Sequence, residues 1–380
     1  MAKFLKSSFL KKTCLVLVFL IGFLLSQTDA QKHNFTLLVG TYTRETSEGI
    51  YSYNFNSKTG KLDLKSIKKG LTNPSFMAFS PDHSILYALN GVNLDSVIAL
   101  KIDQNTDILQ TLNAQSLEGG FGACHLAVDH SGKWLIVGNY KSGSISVLSI
   151  ESDGKIGKLI QTIKHTGSSV NPERQTQAAV HSINIAKNNV DVFVPDLGMD
   201  KIMSYKLNAI TGILSPADQP FVSTSSGAGP RHFTYSPNNQ FAYVINELNC
   251  TVGVYQYSQG KLKEIQVIPT LPKTYNGTLS AADIHISQDG KYLYASNRIH
   301  ESLTVFKINQ KNGTLKFVQN VSVLGTIPRN FVIDPTGNYV LVANQTSNNI
   351  VVFKRNKRNG RLKANGEQVN VSLPVCLKFI

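Results

Sequence analysis

Apolar residues recur along this chain in short bursts that alternate with polar ones, as in Ile183 and Ile185 against Ser182 and Asn184. A period of two is the signature of half-buried β-strands. Beyond residue 30 no stretch keeps the 3.6-residue period of a helix for any length. Six segments share one pattern: a strand, a tight polar turn, a second strand and a closing polar residue. They begin at Pro74, Cys124, His181, Arg231, Ala282 and Arg329. Their turns read PD, SG, NN, DG or TG, the dipeptides that punctuate hairpins.

The segments share a register. Taking the residue before each turn as zero gives Ser80, Asp129, Ala186, Ser236, Ser287 and Asp334. Ten residues later stand Asn90, Asn139, Asp196, Asn246, Asn297 and Asn344, always Asn or Asp. The zero positions lie 49, 57, 50, 51 and 47 residues apart. A repeat of about 51 residues fits seven times into residues 31–380, yet six copies are intact. The seventh is divided between the ends, with TLLVGTYT supplying a second strand and PVCLKFI a first. Segments such as SISVLSI and LTVFKIN, followed by turns at Gly60 and Gly313, supply the outer strands. The pattern predicts one all-β domain over residues 31–380, a seven-bladed β-propeller whose last blade is closed by the N- and C-terminal strands. Such closure protects sheet edges from pairing with other chains.

Residues 1–30 read differently. Lys3, Lys6, Lys11 and Lys12 precede an apolar run from Cys14 to Leu25, and Thr28-Asp29-Ala30 offers a small-residue cleavage site. That order predicts a signal peptide and an exported mature protein. The apolar run is too short to span a bilayer comfortably, so no stable membrane insertion is expected after cleavage. Removing this segment lowers the formal charge of +14 by three, to +11. The excess favours anionic small molecules, and no recognition module points to nucleic acid. Cys124, Cys250 and Cys376 fit no metal-binding spacing and are expected to be buried packing residues. Oligomeric state is not encoded in any motif.

In a propeller the innermost strand starts at one mouth of the central channel and the second strand returns there. Position −5 therefore lies near positions +10 and +11. The −5 column reads Ser75, Cys124, His181, Arg231, Ala282 and Arg329; the +11 column reads Gly91, Tyr140, Leu197, Glu247, Arg298 and Gln345. His181, Arg231, Glu247, Arg298 and Arg329 fall on four consecutive copies and should line one side of the mouth. Guanidiniums, a carboxylate and an imidazole together suit an anionic substrate and acid/base work. Arginines would keep Glu247 ionised, and His181 is expected to titrate near neutral pH. His181, Glu247, Arg298 and Arg231 are the catalytic candidates; Arg329, Gln345 and Tyr140 are the substrate-binding ones. His125, His232, Asp283 and Asn330, at −4, stand one step out of phase and are expected to bond neighbouring blades. The 57-residue step contains Asn171–Gln175, an insertion expected to overhang the mouth.

The same segments carry a family likeness. CHLAVDHSGKWLIVGNYKSGSISV, the PDLG, GPRH and NELN blocks and ADIHISQDGKYLYASNR resemble bacterial propeller 6-phosphogluconolactonases, a family related to fungal carboxy-muconate lactonizing enzymes. The resemblance spans nearly all of residues 31–380. It implies a metal-independent, cofactor-free lactonase acting on a sugar-derived lactone, phosphorylated or an exported analogue. It also implies that His181, Arg231, Glu247 and Arg298 occupy the proposed active-site positions. Ala178-Ala179-Val180 stand where relatives often carry a second His, and Ala123 replaces a usual Pro.

Two other readings compete. A non-catalytic exported binding propeller is suggested by YVLVANQTSNNIVVF, which resembles the YVTN-type repeats of surface propellers. A calcium-dependent lactonase would need six to eight oxygen ligands, which a mouth of arginines around one Glu does not favour.

Overall fold

A computed structural model describes residues 33–91 and 95–380. The expected signal segment lies outside the described residues. Residues 35–380 form a compact unit of seven four-stranded antiparallel sheets, and no helix occurs among the described residues. Blade 1 runs outward from Pro374–Phe379 through Asn34–Thr41 and Gly49–Asn56 to Leu62–Lys69. Blades 2 to 7 begin on inner strands Met77–Phe79, Ala123–Val128, Asn184–Ile185, Pro230–Tyr235, Ala281–Ile286 and Pro328–Ile333. The two ends meet as expected: Leu37 pairs Phe379, Val39 pairs Leu377 and Gly40 pairs Cys376. Only glycine fits at position 40, because a Cβ there would lie 2.3 Å from the Pro74 carbonyl of blade 2.

Burial explains the sequence pattern. In each blade the second strand is sandwiched between two neighbouring blades and is buried along its length, as in Trp134–Asn139 and Phe241–Asn246. The fourth strand keeps one face in water, so Ile156–Lys164 alternates. Cores form where second strands meet across blades: Leu86 and Ala88 with Leu135 and Val137, and Leu37 and Val39 with Leu341 and Ala343. Second-strand aromatics then reach polar atoms of the adjoining blade. Tyr87, Tyr243 and Tyr294 donate to the carbonyls of Gly154, Gly313 and Gly360, each at 2.9 Å.

The repeated polar positions have structural work. The zero residue caps the hairpin: Asp129 Oδ1 accepts from the Trp134 amide at 2.8 Å, and Ser236 Oγ from that of Phe241 at 2.9 Å. The +10 residue ties the second strand to the third. Asn139 Nδ2 donates to Ser146 Oγ at 3.0 Å, and Asn246 Nδ2 to Thr251 Oγ1 at 2.9 Å.

A chain ending at Leu373 loses the innermost strand of blade 1 and exposes the edge of Asn34–Thr41. Size-exclusion chromatography should then find mainly aggregate where the full chain gives a single discrete species. An unchanged elution profile would show that the terminal strand does not close the ring.

Candidate functional site

In blades 3, 5 and 7 the inner strand carries a bulge near its start. Residue −6 pairs with +10 and residue −4 with +9, leaving −5 unpaired: Ala123 faces Asn139 while His125 faces Gly138, and Pro230 faces Asn246 while His232 faces Ile245. Pro328 and Asn330 repeat this around Arg329. In blade 4 the isolated bridge Val180–Asp196 plays the same part beside His181. A bulge re-aims the extra residue, which sends Cys124, His181, Arg231 and Arg329 toward the mouth. There Cys124, His181 and Arg329 meet the ends of second strands and line a cavity of about 490 Å³ with Tyr140, Glu247 and Arg298; Arg231 lies just beneath it. That volume suits a small ligand. A wider hollow of about 940 Å³ lies among the turns around Asp82, Lys133 and Asp153. It holds no histidine, and its Asp153 and Lys155 pair with each other at 2.6 Å.

Glu247 is the centre of the mouth. Its side chain is 2% exposed, and three guanidiniums converge on it. Arg298 Nη2 lies 2.8 Å and Arg174 Nη2 2.6 Å from Oε1, and Arg231 Nε lies 3.0 Å from Oε2. His181 Nε2 stands 3.9 Å from Oε2, an ion-pair separation rather than a hydrogen bond. Burial pushes the Glu247 carboxyl up, but Arg298, Arg231 and Arg174 outweigh it and hold it down at about 2. Arg231 is buried among like charges and also donates to the Ala282 carbonyl at 2.5 Å. Arg298 Nε is a buried donor without a partner in the protein.

The sequence placed His181, Arg231, Glu247, Arg298, Arg329 and Tyr140 in one mouth, and they share it. Tyr140 stacks edge-on against His181 with centroids 5.4 Å apart. Three expectations need correction. Gln345 does not line the cavity, although its amide bonds Ile327 close to the same rim. His181 does not titrate near neutrality: burial first, then Arg231, His232 and Arg329, keep its imidazole neutral well below the usual range. Cys124 is not simple packing, since it lines the cavity with Sγ 3.8 Å from His181 Nδ1. The three described cysteines are unpaired.

The −4 residues bond neighbouring blades as expected. Asp283 accepts from His232 Nδ1 at 2.7 Å and Asn330 Nδ2 at 2.6 Å, and Asn330 Oδ1 accepts from the Leu377 amide at 2.7 Å. The bulge cancels the phase difference, however, so His232 also lines a small hollow below the mouth with Ser75, Arg231 and Arg329. The insertion does overhang the mouth, and it delivers Arg174, which no register marks. Arg174 bridges Glu247 and the Tyr140 hydroxyl, the latter at 3.1 Å. Asp196 anchors the insertion by accepting from the Ala179 amide at 2.7 Å, and a Cβ on Gly198 would lie 1.8 Å from the Gln177 carbonyl. Arg44, also in the cavity wall, lies between the second and third strands of the split blade and outside both columns.

Residues 36–379 match the family model for lactonases of the seven-bladed β-propeller type. The 6-phosphogluconolactonase of Bacillus subtilis is 36% identical over 345 residues, covering 90% of this chain and 97% of that one. The Formosa agariphila protein of the same name is 38% identical over 309 residues, covering 79% and 86%. Among solved structures, the periplasmic gluconolactonase of Pseudomonas aeruginosa superimposes with a TM-score of 0.87 at 33% identity, covering 91% of this chain and 99% of that one.

The buried imidazoles give stability a pH dependence. Burial holds His125, His181 and His232 below the ordinary range, His232 at about 4. Unfolded imidazoles protonate near 6.5, so below that pH the unfolded chain binds protons that the folded chain refuses. Their contribution is complete above about 6.5 and drains away as pH falls through the folded values. The melting temperature should therefore drop between pH 7 and 4, and His125→Asn should flatten the slope. A melt constant over that range would contradict this assignment.

Proposed function

The chain belongs to the seven-bladed β-propeller lactonase family, and on that premise we propose that it hydrolyses a lactone ring in the arginine-lined mouth. The observation that carries this reading is the convergence of His181, Arg231, Arg298 and Arg174 on one buried carboxylate inside a cavity of ligand size.

The electrostatics divide the roles. A general base must accept a proton at working pH, and Glu247, held at about 2, is too weak a base. His181 is neutral and keeps a free lone pair across the working range. It takes a proton from water as the water oxygen bonds to the lactone carbonyl carbon. The carbonyl oxygen becomes an oxyanion, which the unpartnered Arg298 Nε–H and the adjoining guanidinium field stabilise. Glu247 steadies the imidazolium formed 3.9 Å away. The tetrahedral intermediate then collapses: the bond from carbonyl carbon to ring oxygen breaks, and the ring oxygen takes the proton from His181. The product is an open hydroxy acid.

This chemistry needs no metal or cofactor, and guanidiniums on both carboxylate oxygens disfavour a cation there. The basic and apolar run in residues 1–30 supports export of the mature enzyme.

His181→Asn should lower kcat by about 10²–10⁴, and Arg298→Lys, which keeps the charge but loses the planar donors, by about 10²–10³. Glu247→Gln is a poorer probe, because it leaves three guanidiniums uncompensated and should lower the melt along with activity. In the parent enzyme the acid limb of the pH–rate profile should fall below 6.5. Steady-state hydrolysis of a panel of sugar lactones checks all three. Parent-like rates in both the His181 and Arg298 variants would remove this site from the chemistry.

A further inference from the structure

The guanidiniums of the mouth fall into two groups. Arg174, Arg231 and Arg298 are all engaged by Glu247. Arg44 and Arg329 line the same cavity, yet no carboxylate pairs with either among the described residues. Instead both lie against one ring: the Arg44 guanidinium is 4.6 Å and that of Arg329 5.6 Å from the Tyr42 centroid. Stacking on an aromatic face fixes a guanidinium's plane while leaving its N–H edges free to donate.

The support beneath this pair is specific. Arg329 is the bulged residue of blade 7, and Arg44 follows the second strand of blade 1, so the two face each other across the blade junction. The loop carrying Arg44 is tied to the next blade by reciprocal bonds: the Thr43 amide donates to Asn73 Oδ1 at 2.8 Å and the Asn73 amide to Thr43 Oγ1 at 3.0 Å. Neighbouring Glu45 is turned away toward Asn348 and Ser372. The other carboxylate of the cavity wall, Asp95, accepts from the Ala123 amide at 3.0 Å.

We infer that Arg44 and Arg329, stacked on Tyr42, form an oxyanion subsite that binds a phosphate or carboxylate substituent of the lactone. This rests on the lactonase reading of the mouth. Two guanidiniums match a doubly charged oxyanion with several acceptor oxygens, and because neither is paired to Glu247, both can hold a charged substituent while Arg298 meets the ring carbonyl. Asn73, Ser75 and Asn90 in the adjoining wall supply neutral partners for hydroxyls between the two ends.

The test compares kcat/KM for glucono-1,5-lactone, its 6-phosphate and a carboxylate-bearing sugar lactone in the parent, Arg44→Gln, Arg329→Gln and Arg44→Lys. Each Gln variant should lower the preference for a charged over the uncharged lactone by at least about tenfold, with partial recovery in Arg44→Lys. Whichever charged lactone loses the preference identifies the substituent. An unchanged preference for both charged lactones in both Gln variants overturns the subsite. If the parent turns over no lactone, the catalytic reading fails by itself. The subsite is then judged by calorimetric titration with 6-phosphogluconate, where loss of binding in Arg44→Gln supports it and equal binding rejects it.

Discussion

A carboxylate withdrawn from water loses its hydration, and only close cations or strong donors can keep it charged. Glu247 meets that condition with three guanidiniums from three places: the bulge of its own blade, the next blade along and the long insertion ahead of blade 4. The geometry of the mouth follows from this one group. Arg231 is pinned by it, Arg298 is held with one N–H left over, and the insertion is drawn across the rim through Arg174. Burial first, then the nearby Arg231, keeps His181 neutral, the one imidazole in this cavity wall among the described residues.

The fold and the site were legible to different depths, and the reason is register. Strand alternation and the Asn or Asp at +10 recur because every blade has the same hairpin to close, so the seven-fold ring could be read off spacing. The site columns were readable for the same reason. Any residue at −5 or +11 must arrive at one mouth, which brought His181, Arg231, Glu247, Arg298 and Arg329 together on paper as they are in space. Register says where a backbone position goes, and less about the side chain. Gln345 occupies the right position at the rim and yet does not reach the cavity.

What was hidden lies outside the repeat or in the environment. Arg174 sits in an insertion with no counterpart in other copies, and Arg44 lies in the loop between the second and third strands of the divided blade; neither falls in a column counted from a hairpin turn. A candidate signal existed for both, since each is a cation in a loop that must emerge at the mouth. The bulges were also missed, because the extra residue comes at the very start of a short inner strand, where too few positions precede it to show the change of phase. They explain why His232 serves as blade-to-blade bond and channel wall at once. The neutrality of His181 could not be read from composition, because it depends on burial and on charges brought close only by folding.

A closed ring also explains why the chemistry collects where it does. Every blade buries its second strand between its neighbours, so the charge that gathers into a site does so at the strand ends, and the two ends differ. At one end lie hairpin turns capped by Asp or Ser, whose polar groups are spent on local backbone amides. At the other, bulges free Cys124, Arg231 and Arg329 from pairing, and the connections between blades are long enough to vary. Blades 2 and 6 place Ser75 and Ala282 at this position, blades 3 and 4 Cys124 and His181, and blades 5 and 7 Arg231 and Arg329. The ring thus presents one freely chosen side chain per blade to a common axis. Polarity at the mouth is uneven because only some blades use that freedom for charge, and an uneven mouth is what allows one small molecule to be held at two distinct ends.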